Sequence, residues 1–181
     1  KHFYPSITPV NIRGNLQTRI EKLKAGACDA LILAYAGVHR MGYDELIVEK
    51  IETSYFVPPV GQGSIAVECH KKLSFDKKAI ISQWVNHVQT EDCIRAERAF
   101  LKTLEGGCSI PSFAYAWLEG NTLILKAGII SLDGQKLVKI KRSASPEEGK
   151  ELGKSIAKEV LANGGADILY SIKNAVKLNI P

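Results

Sequence analysis

The stretch SFAYAWLEGNTLILKAGIISLDGQKLVKIKRS, residues 112–143, decides the fold of the C-terminal part of the chain. It contains three runs with strand-like composition, which are residues 112–119, 122–131 and 136–143. Gly120 with Asn121 and Asp133 with Gly134 separate the runs. An Asp-Gly pair between two such runs is a strong hairpin signal, because that turn favours positive φ. The pattern predicts a three-stranded antiparallel sheet in which consecutive strands are neighbours.

Helices are expected on the C-terminal side of this sheet. Ser145, Pro146 and Glu148 have the spacing of a capping box with proline at the first helical position. The helix that they open should end near Gly164, and residues 166–178 predict a further helix. A sheet backed by helices is a small α+β domain.

A helix is also expected immediately before the sheet. Thr90 is a candidate N-cap, and the helix should continue to about Leu104 and stop at Gly106 and Gly107. Cys108 follows this stop, where two glycines leave the thiol accessible. An ordinary helix stop followed by an incidental cysteine explains the same local pattern.

Charged residues on that helix have a simpler interpretation. Glu97, Arg98 and Glu105 lie near the cysteine in sequence, and their spacing is typical of ion pairs on a helix surface. We assign them no functional role from the sequence.

The N-terminal third has a different pattern. Residues 7–12 resemble a strand, residues 16–27 have an apolar face at helical spacing, and residues 30–34 resemble a buried strand. Strand, helix and strand in this order indicate an α/β unit. A short helix is expected at 36–42, and residues 43–52 favour a helix or a helix followed by a strand.

The middle of the chain begins with a proline-rich crossing between domains. Pro58 and Pro59 break any helix, residues 64–69 alternate as in a strand, and residues 77–88 favour a helix.

Composition excludes several classes of protein. The formal charge is +5, and four widely spaced cysteines have neither zinc-ligand nor disulfide-scaffold spacing. No run of about 20 apolar residues and no secretion leader is present. We therefore expect a cytoplasmic protein without a metal. Because Lys1 rather than Met is the first residue, we also expect a fragment.

Four motifs, taken in order, resemble one enzyme family. They are NIRGNLQTR at 11–19, DALILAYAGVHRMG at 29–42, VGQGSIAVEC at 60–69 and LEGGCSIP at 104–111. The chain is similar to the C-terminal part of the hydroxymethylbilane synthase (porphobilinogen deaminase) family.

The resemblance implies a domain organisation in three parts. Residues 1–57 would be the end of domain two, a remnant of a periplasmic-binding-protein-like α/β domain. Residues 58–86 would be a segment that returns to domain one, and residues 87–181 would be domain three, the α+β domain.

The resemblance also implies which residues bind the family's dipyrromethane cofactor. Cys108 would hold it covalently through a thioether, and Arg13, Arg19 and Arg40 would bind the acetate and propionate groups of the cofactor and the growing chain. Guanidinium suits this role because it is always charged and pairs with carboxylates through two hydrogen bonds. Gln62 and Gly63 would line the hinge or the cleft.

The implied function is the polymerisation of four porphobilinogen molecules to hydroxymethylbilane, with loss of ammonia, in tetrapyrrole and heme biosynthesis. The family's catalytic aspartate motif is missing, so we expect no catalytic residue in this chain and no activity from it alone. Its partners would be porphobilinogen and the missing N-terminal segment of the same enzyme.

Two other functions are compatible with the composition. A carboxylate-binding or anion-binding module without chemistry could use the same arginine turns. A nucleic-acid-binding domain is disfavoured, because aromatic residues make up only 7% of the chain and the positive charge does not form one stripe. We expect neither nucleic acid nor a membrane as a partner.

Overall fold

The computed structural model describes residues 2–105 and 110–178. The chain divides into two compact units, Lys1–Tyr55 and Phe56–Pro181.

The N-terminal unit contains two helices. The first, α1, spans Leu16–Lys24, and α2 spans Tyr35–Arg40, followed by a single 3-10 turn at Asp44–Leu46. Helix α1 begins where it does because the Asn15 side chain accepts a hydrogen bond of 2.8 Å from the Thr18 N–H. These elements confirm the predicted helices near 16–27 and 36–42.

The predicted strands of this unit are wrong. Residues 7–12 and 30–34 form no strand pairing with any described residue, and Ile32, expected in a buried strand, is 72% exposed. Parallel strands need neighbouring strands for their N–H and C=O groups, and the described part of this unit supplies none. The helix predicted within 43–52 is reduced to the 3-10 turn.

The C-terminal unit is a three-stranded sheet with helices. Its helices are α3 Phe75–Val85, α4 Val88–Thr103, α5 Gly149–Val160 and α6 Ala166–Leu178. Its strands are β1 Ser112–Glu119, β2 Thr122–Ile130 and β3 Leu137–Ala144, antiparallel in the order β1-β2-β3. The predicted antiparallel sheet is confirmed, and the described chain is a mixed α/β structure.

The core of this unit lies between the sheet and helices α4 and α5. Phe100 on α4, Leu125 on β2 and Ile156 on α5 are completely buried. Gly153 lets the two helices approach, since a Cβ added there would lie 2.2 Å from the Ala96 carbonyl oxygen. The packing of α4 against α5 therefore depends on this glycine.

The helix boundaries differ in part from those expected. The capping box of Ser145 and Glu148 is confirmed, and a kink at Gly164, with φ of 96°, separates α5 from α6. The N-cap of α4 is His87 rather than Thr90, because the His87 ring accepts a hydrogen bond from the Thr90 N–H. An imidazole nitrogen thus takes the place of the expected hydroxyl.

Residues 64–69 also differ from prediction, because they form no strand. Ile65 and Val67, which would share one face of such a strand, are 86% and 58% exposed. No described strand lies beside them to pair with their backbone. None of the described helices is long and apolar enough to cross a lipid bilayer.

Candidate functional site

The turn before α1 carries two of the predicted arginines. Gly14 has φ of 131°, a conformation that favours glycine, and its carbonyl accepts a hydrogen bond of 2.8 Å from Arg19 Nε. Lys22 Nζ donates to the Arg13 carbonyl at 2.8 Å. Two cationic side chains of α1 therefore fix the backbone of this turn.

The guanidinium groups of Arg13 and Arg40 are available for a ligand. Both side chains are exposed, and neither makes a hydrogen bond or ion pair with the described part of the chain. Arg40 is the last residue of α2. Its neighbour His39 is engaged, with Nδ1 2.8 Å from the Asp44 carboxylate. The structure thus places Arg13 and Arg19 at one turn and Arg40 on a separate element.

The C-terminal unit contains an open cleft of about 400 Å³. Its lining includes Gln62, Gly63, Thr90, Cys93, Glu97 and Tyr115. The two residues predicted from the resemblance to line a hinge or cleft therefore lie at this cleft. Their role there stays a prediction.

Glu97 is the one buried charged side chain among residues 2–105 and 110–175, with 4% of its surface exposed. One carboxylate oxygen accepts a hydrogen bond of 2.8 Å from the Gly61 N–H, and the other accepts one of 2.9 Å from the Ala116 N–H. Burial raises the pKa of Glu97 above its ordinary value, and the two backbone hydrogen bonds partly oppose this rise. The carboxylate thus connects helix α4, the segment at Gly61 and strand β1.

The sequence-based interpretation of Glu97 was wrong, because it forms no helix-spaced ion pair. Glu105 pairs instead with Lys173 on α6, at 3.4 Å. A signal for Glu97 does exist in the sequence, since it lies in helical register with Cys93, Phe100 and Leu104 on the apolar face of α4. A glutamate on an apolar stripe is rarely left unpaired.

Cys93 lies one turn before Glu97 and also lines the cleft. Burial, followed by the charges of Glu97 and Asp92, raises the pKa of this thiol. Since the thiolate is the nucleophilic form, we expect Cys93 to be less reactive than an exposed thiol.

Cys108, the predicted site of cofactor attachment, lies outside the described residues. Its described flanks are tied to the core of the C-terminal unit. Leu104, which caps the end of α4, is completely buried, and Ile110 packs against the core. The Pro111 carbonyl accepts a hydrogen bond of 3.1 Å from the Ile130 N–H. Within the described ranges, no group of three or more His, Cys, Asp or Glu side chains is arranged to hold a metal ion.

Two family models match the chain, in the order expected. "Porphobilinogen deaminase, dipyromethane cofactor binding domain" matches residues 1–78, and "Porphobilinogen deaminase, C-terminal domain" matches residues 92–162. Together they cover most of the chain.

Curated relatives agree with these matches. The chain is 50% identical to a porphobilinogen deaminase of Desulfosudis oleivorans over 94% of its own length and 55% of the relative. It is 46% identical to one of Cytophaga hutchinsonii, over 97% of its own length and 56% of the relative. The chain belongs to the porphobilinogen deaminase family, and it spans about half the length of the curated relatives it matches.

Proposed function

We propose that this chain is part of a porphobilinogen deaminase, which joins four porphobilinogen molecules into hydroxymethylbilane and releases ammonia. The observation that carries the proposal is the match of two domain models of one family, in order, along the chain. The activity belongs to the complete protein, because the matched relatives are almost twice as long. The chain alone lacks the family's aspartate motif and is inactive.

The three-part domain organisation is part of this proposal. Residues 1–57 belong to a periplasmic-binding-protein-like α/β domain, 58–86 return to the first domain, and 87–181 form the third. The exposed apolar side chains of residues 58–86 support the second assignment, since Ile65 and Trp84 are 86% and 80% exposed. Such residues are typically covered by another part of a protein. The boundary between the compact units, after Tyr55, supports an end of the first part near residue 57, while the same division keeps residues 58–86 in one unit with 87–181.

The described residues fit a dipyrromethane, which has two carboxylates on each pyrrole ring. Arg13 and Arg40 present exposed guanidinium groups that no described residue neutralises. Guanidinium and carboxylate form paired, charge-assisted hydrogen bonds. The bound cofactor supplies the free pyrrole end to which each new unit is joined.

Each residue then has a defined task. Cys108 holds the cofactor through a thioether, so that the growing chain cannot diffuse away. Arg13, Arg19 and Arg40 bind successive carboxylates, and Arg19 also donates through Nε to the Gly14 carbonyl. Gln62 and Gly63 line the space beside the growing chain. An aspartate outside this chain transfers protons.

The test is the intact mass of a chimera in which the N-terminal part of the Desulfosudis oleivorans relative precedes residue 1. We expect an added mass of two linked pyrroles, localised to Cys108 by peptide mapping, and activity with porphobilinogen. Cys108→Ser should remove both, whereas Cys69→Ser, at an exposed thiol, should retain both. A folded wild-type chimera with an unmodified Cys108 would contradict the proposal.

A second candidate is an anion-binding module without chemistry. The turn at Gly14 favours this function. The cationic side chains of Arg19 and Lys22 fix the backbone of the turn, and the turn presents a third cationic side chain, that of Arg13. Titration calorimetry of the 181-residue chain with a pyrrole polycarboxylate tests it. Binding that Arg13→Leu abolishes, without any thioether adduct in the chimera, would favour this function.

A further inference from the structure

Two different groups accept hydrogen bonds from the edge of β1 that faces away from β2. The Ala114 N–H donates to the Pro58 carbonyl at 3.2 Å. Two residues further along the same edge, the Ala116 N–H donates to the Glu97 carboxylate at 2.9 Å. A neighbouring strand would supply a backbone carbonyl at both points. After Pro58 the backbone turns away from the edge of β1. The Glu97 carboxylate therefore accepts the next hydrogen bond of this edge, in place of a backbone carbonyl.

The chain leaves the edge in a pair of tight turns. The Gln62 N–H donates to the Pro59 carbonyl at 3.1 Å, and the Ser64 N–H donates to the Gly61 carbonyl at 3.3 Å. Gly61 has φ of 73°, and its own N–H donates to the second oxygen of Glu97 at 2.8 Å. The carboxylate thus holds the centre of this turn, residues 59–64, against β1.

We infer that Glu97 is a positioning residue for the deaminase reaction: its carboxylate clips the turn at 59–64 to the edge of β1 and so holds Gln62 and Gly63 at the cleft. This inference rests on the proposed function. Glu97 acts through the turn and touches no reacting atom, so it is not a catalytic residue.

The Glu97 carboxyl group accepts from both N–H groups at once, one on each oxygen. A carboxylate has two acceptor oxygens, whereas a glutamine amide has one acceptor and one donor. In Glu97→Gln the NH₂ group must face either Gly61 or Ala116, and one of these two N–H groups loses its partner. Side-chain volume is almost unchanged. Glu97→Gln therefore removes one of the two hydrogen bonds that hold the turn and leaves the packing of α4 in place.

The first measurement follows the two amides by NMR in the ¹⁵N-labelled 181-residue chain. In the wild type we expect the Gly61 and Ala116 resonances to titrate with one common midpoint, that of Glu97. The other titratable groups at the cleft are His87, Cys93 and Tyr115, and substitution of Glu97 leaves them in place. Glu97→Gln should abolish the common titration and speed the hydrogen exchange of one amide about tenfold or more.

The second measurement separates positioning from stability in the chimera described above. Displacing a turn that lines the cleft weakens substrate binding in the ground state and the transition state alike, which raises KM and leaves kcat nearly unchanged. We expect Glu97→Gln to raise KM for porphobilinogen about tenfold, with kcat within about threefold of the wild type and the thioether adduct intact. A purely structural role would lower the active fraction and leave KM unaltered. Glu91→Gln, which removes an exposed charge from the same helix, is the matched control.

Two results would overturn the inference: common titration of both amides that persists in Glu97→Gln, or loss of one amide hydrogen bond without any change in KM. A wild-type chimera without the thioether adduct would instead overturn the proposed function and the positioning role together. The amide data would then still decide whether Glu97 holds the turn. The two failures are therefore distinguishable.

Discussion

The N–H of Gly61 and the carboxylate of Glu97, 36 positions apart in the sequence, are joined by a hydrogen bond of 2.8 Å. The second oxygen of the same carboxylate accepts from the Ala116 N–H at 2.9 Å. A single buried side chain thereby connects α4, the edge of β1 and the turn that carries Gln62.

Removing the carboxylate should destabilise the chain. Glu97→Ala leaves one buried N–H group, that of Ala116, and one partly buried N–H group, that of Gly61, without acceptors, and each costs about 1–3 kcal/mol. We expect the free energy of unfolding in urea to fall by about 2–4 kcal/mol. Glu91→Ala on the same helix breaks the surface ion pair with Arg95 and an exposed hydrogen bond from the Asn86 side chain, and it should cost less than about 1 kcal/mol. Equal losses in the two variants would contradict the role of Glu97.

The stability contribution of Glu97 should depend on pH. Because burial raises its pKa in the folded state, the folded chain binds more protons than the unfolded chain above the ordinary glutamate pKa. The stability of the wild type relative to Glu97→Gln should therefore fall as the pH rises from about 4.3, the usual glutamate value. Urea unfolding of both proteins at several pH values measures this difference. A difference that grows with pH would refute the assignment.

The close approach of α4 and α5 should depend on Gly153. An added Cβ would lie 2.2 Å from the Ala96 carbonyl oxygen and 2.9 Å from the Phe100 nitrogen, and neither backbone atom can rotate away. We expect Gly153→Ala to lower the free energy of unfolding by about 1–3 kcal/mol or more.

Gly37 on α2 is the control for this substitution, since an added Cβ there meets no atom within 4 Å. Gly37→Ala should be neutral or stabilising by up to about 1 kcal/mol, because alanine favours a helix. Thermal unfolding of both variants compares them. A Gly153→Ala chain as stable as the wild type would show that the two helices can separate at little cost.

Arg13 should act through its guanidinium geometry as well as its charge. Lysine retains the charge but cannot form paired hydrogen bonds with one carboxylate. In the chimera we expect Arg13→Lys to raise KM for porphobilinogen about tenfold. Arg142→Lys, at an exposed ion pair with Glu159, is the control and should leave KM unchanged. Full activity of Arg13→Lys would argue against a role in carboxylate binding.

The cysteines should differ in their rates of alkylation. Cys93 is half-buried and its pKa is raised, whereas Cys69 is exposed. We expect iodoacetamide at pH 7.5 to modify Cys69 at least about tenfold faster, as mass spectrometry of peptides would show. Glu97→Gln should accelerate the reaction of Cys93, since it removes a charge that disfavours the thiolate. Equal rates at the two thiols would refute the effect of burial.

Local patterns predicted the part of the fold that is held together locally. The hairpin at Asp133 and Gly134 and the capping box at Ser145 depend on residues a few positions apart, so their signals survive in the sequence. The strands expected at 7–12 and 30–34 failed because strand pairing needs partners that are distant in sequence, and the described residues contain none.

The candidate site divides in the same way. Motifs were sufficient to indicate the family, which the comparisons confirm, and to nominate Cys108, the three arginines and Gln62. These residue assignments stay predictions. The apolar register of α4 contained a signal for the burial of Glu97, but nothing in the sequence indicated its partners.

The sequence by itself thus determined the family, the three-stranded sheet and the helices around it, because each has a local or motif-based signature. The tertiary structure alone decided that Glu97 forms no surface ion pair and instead binds Gly61 and Ala116. The physical reason is that a buried carboxylate must find hydrogen-bond donors, and only the packing of α4 against β1 determines which backbone N–H groups come within reach.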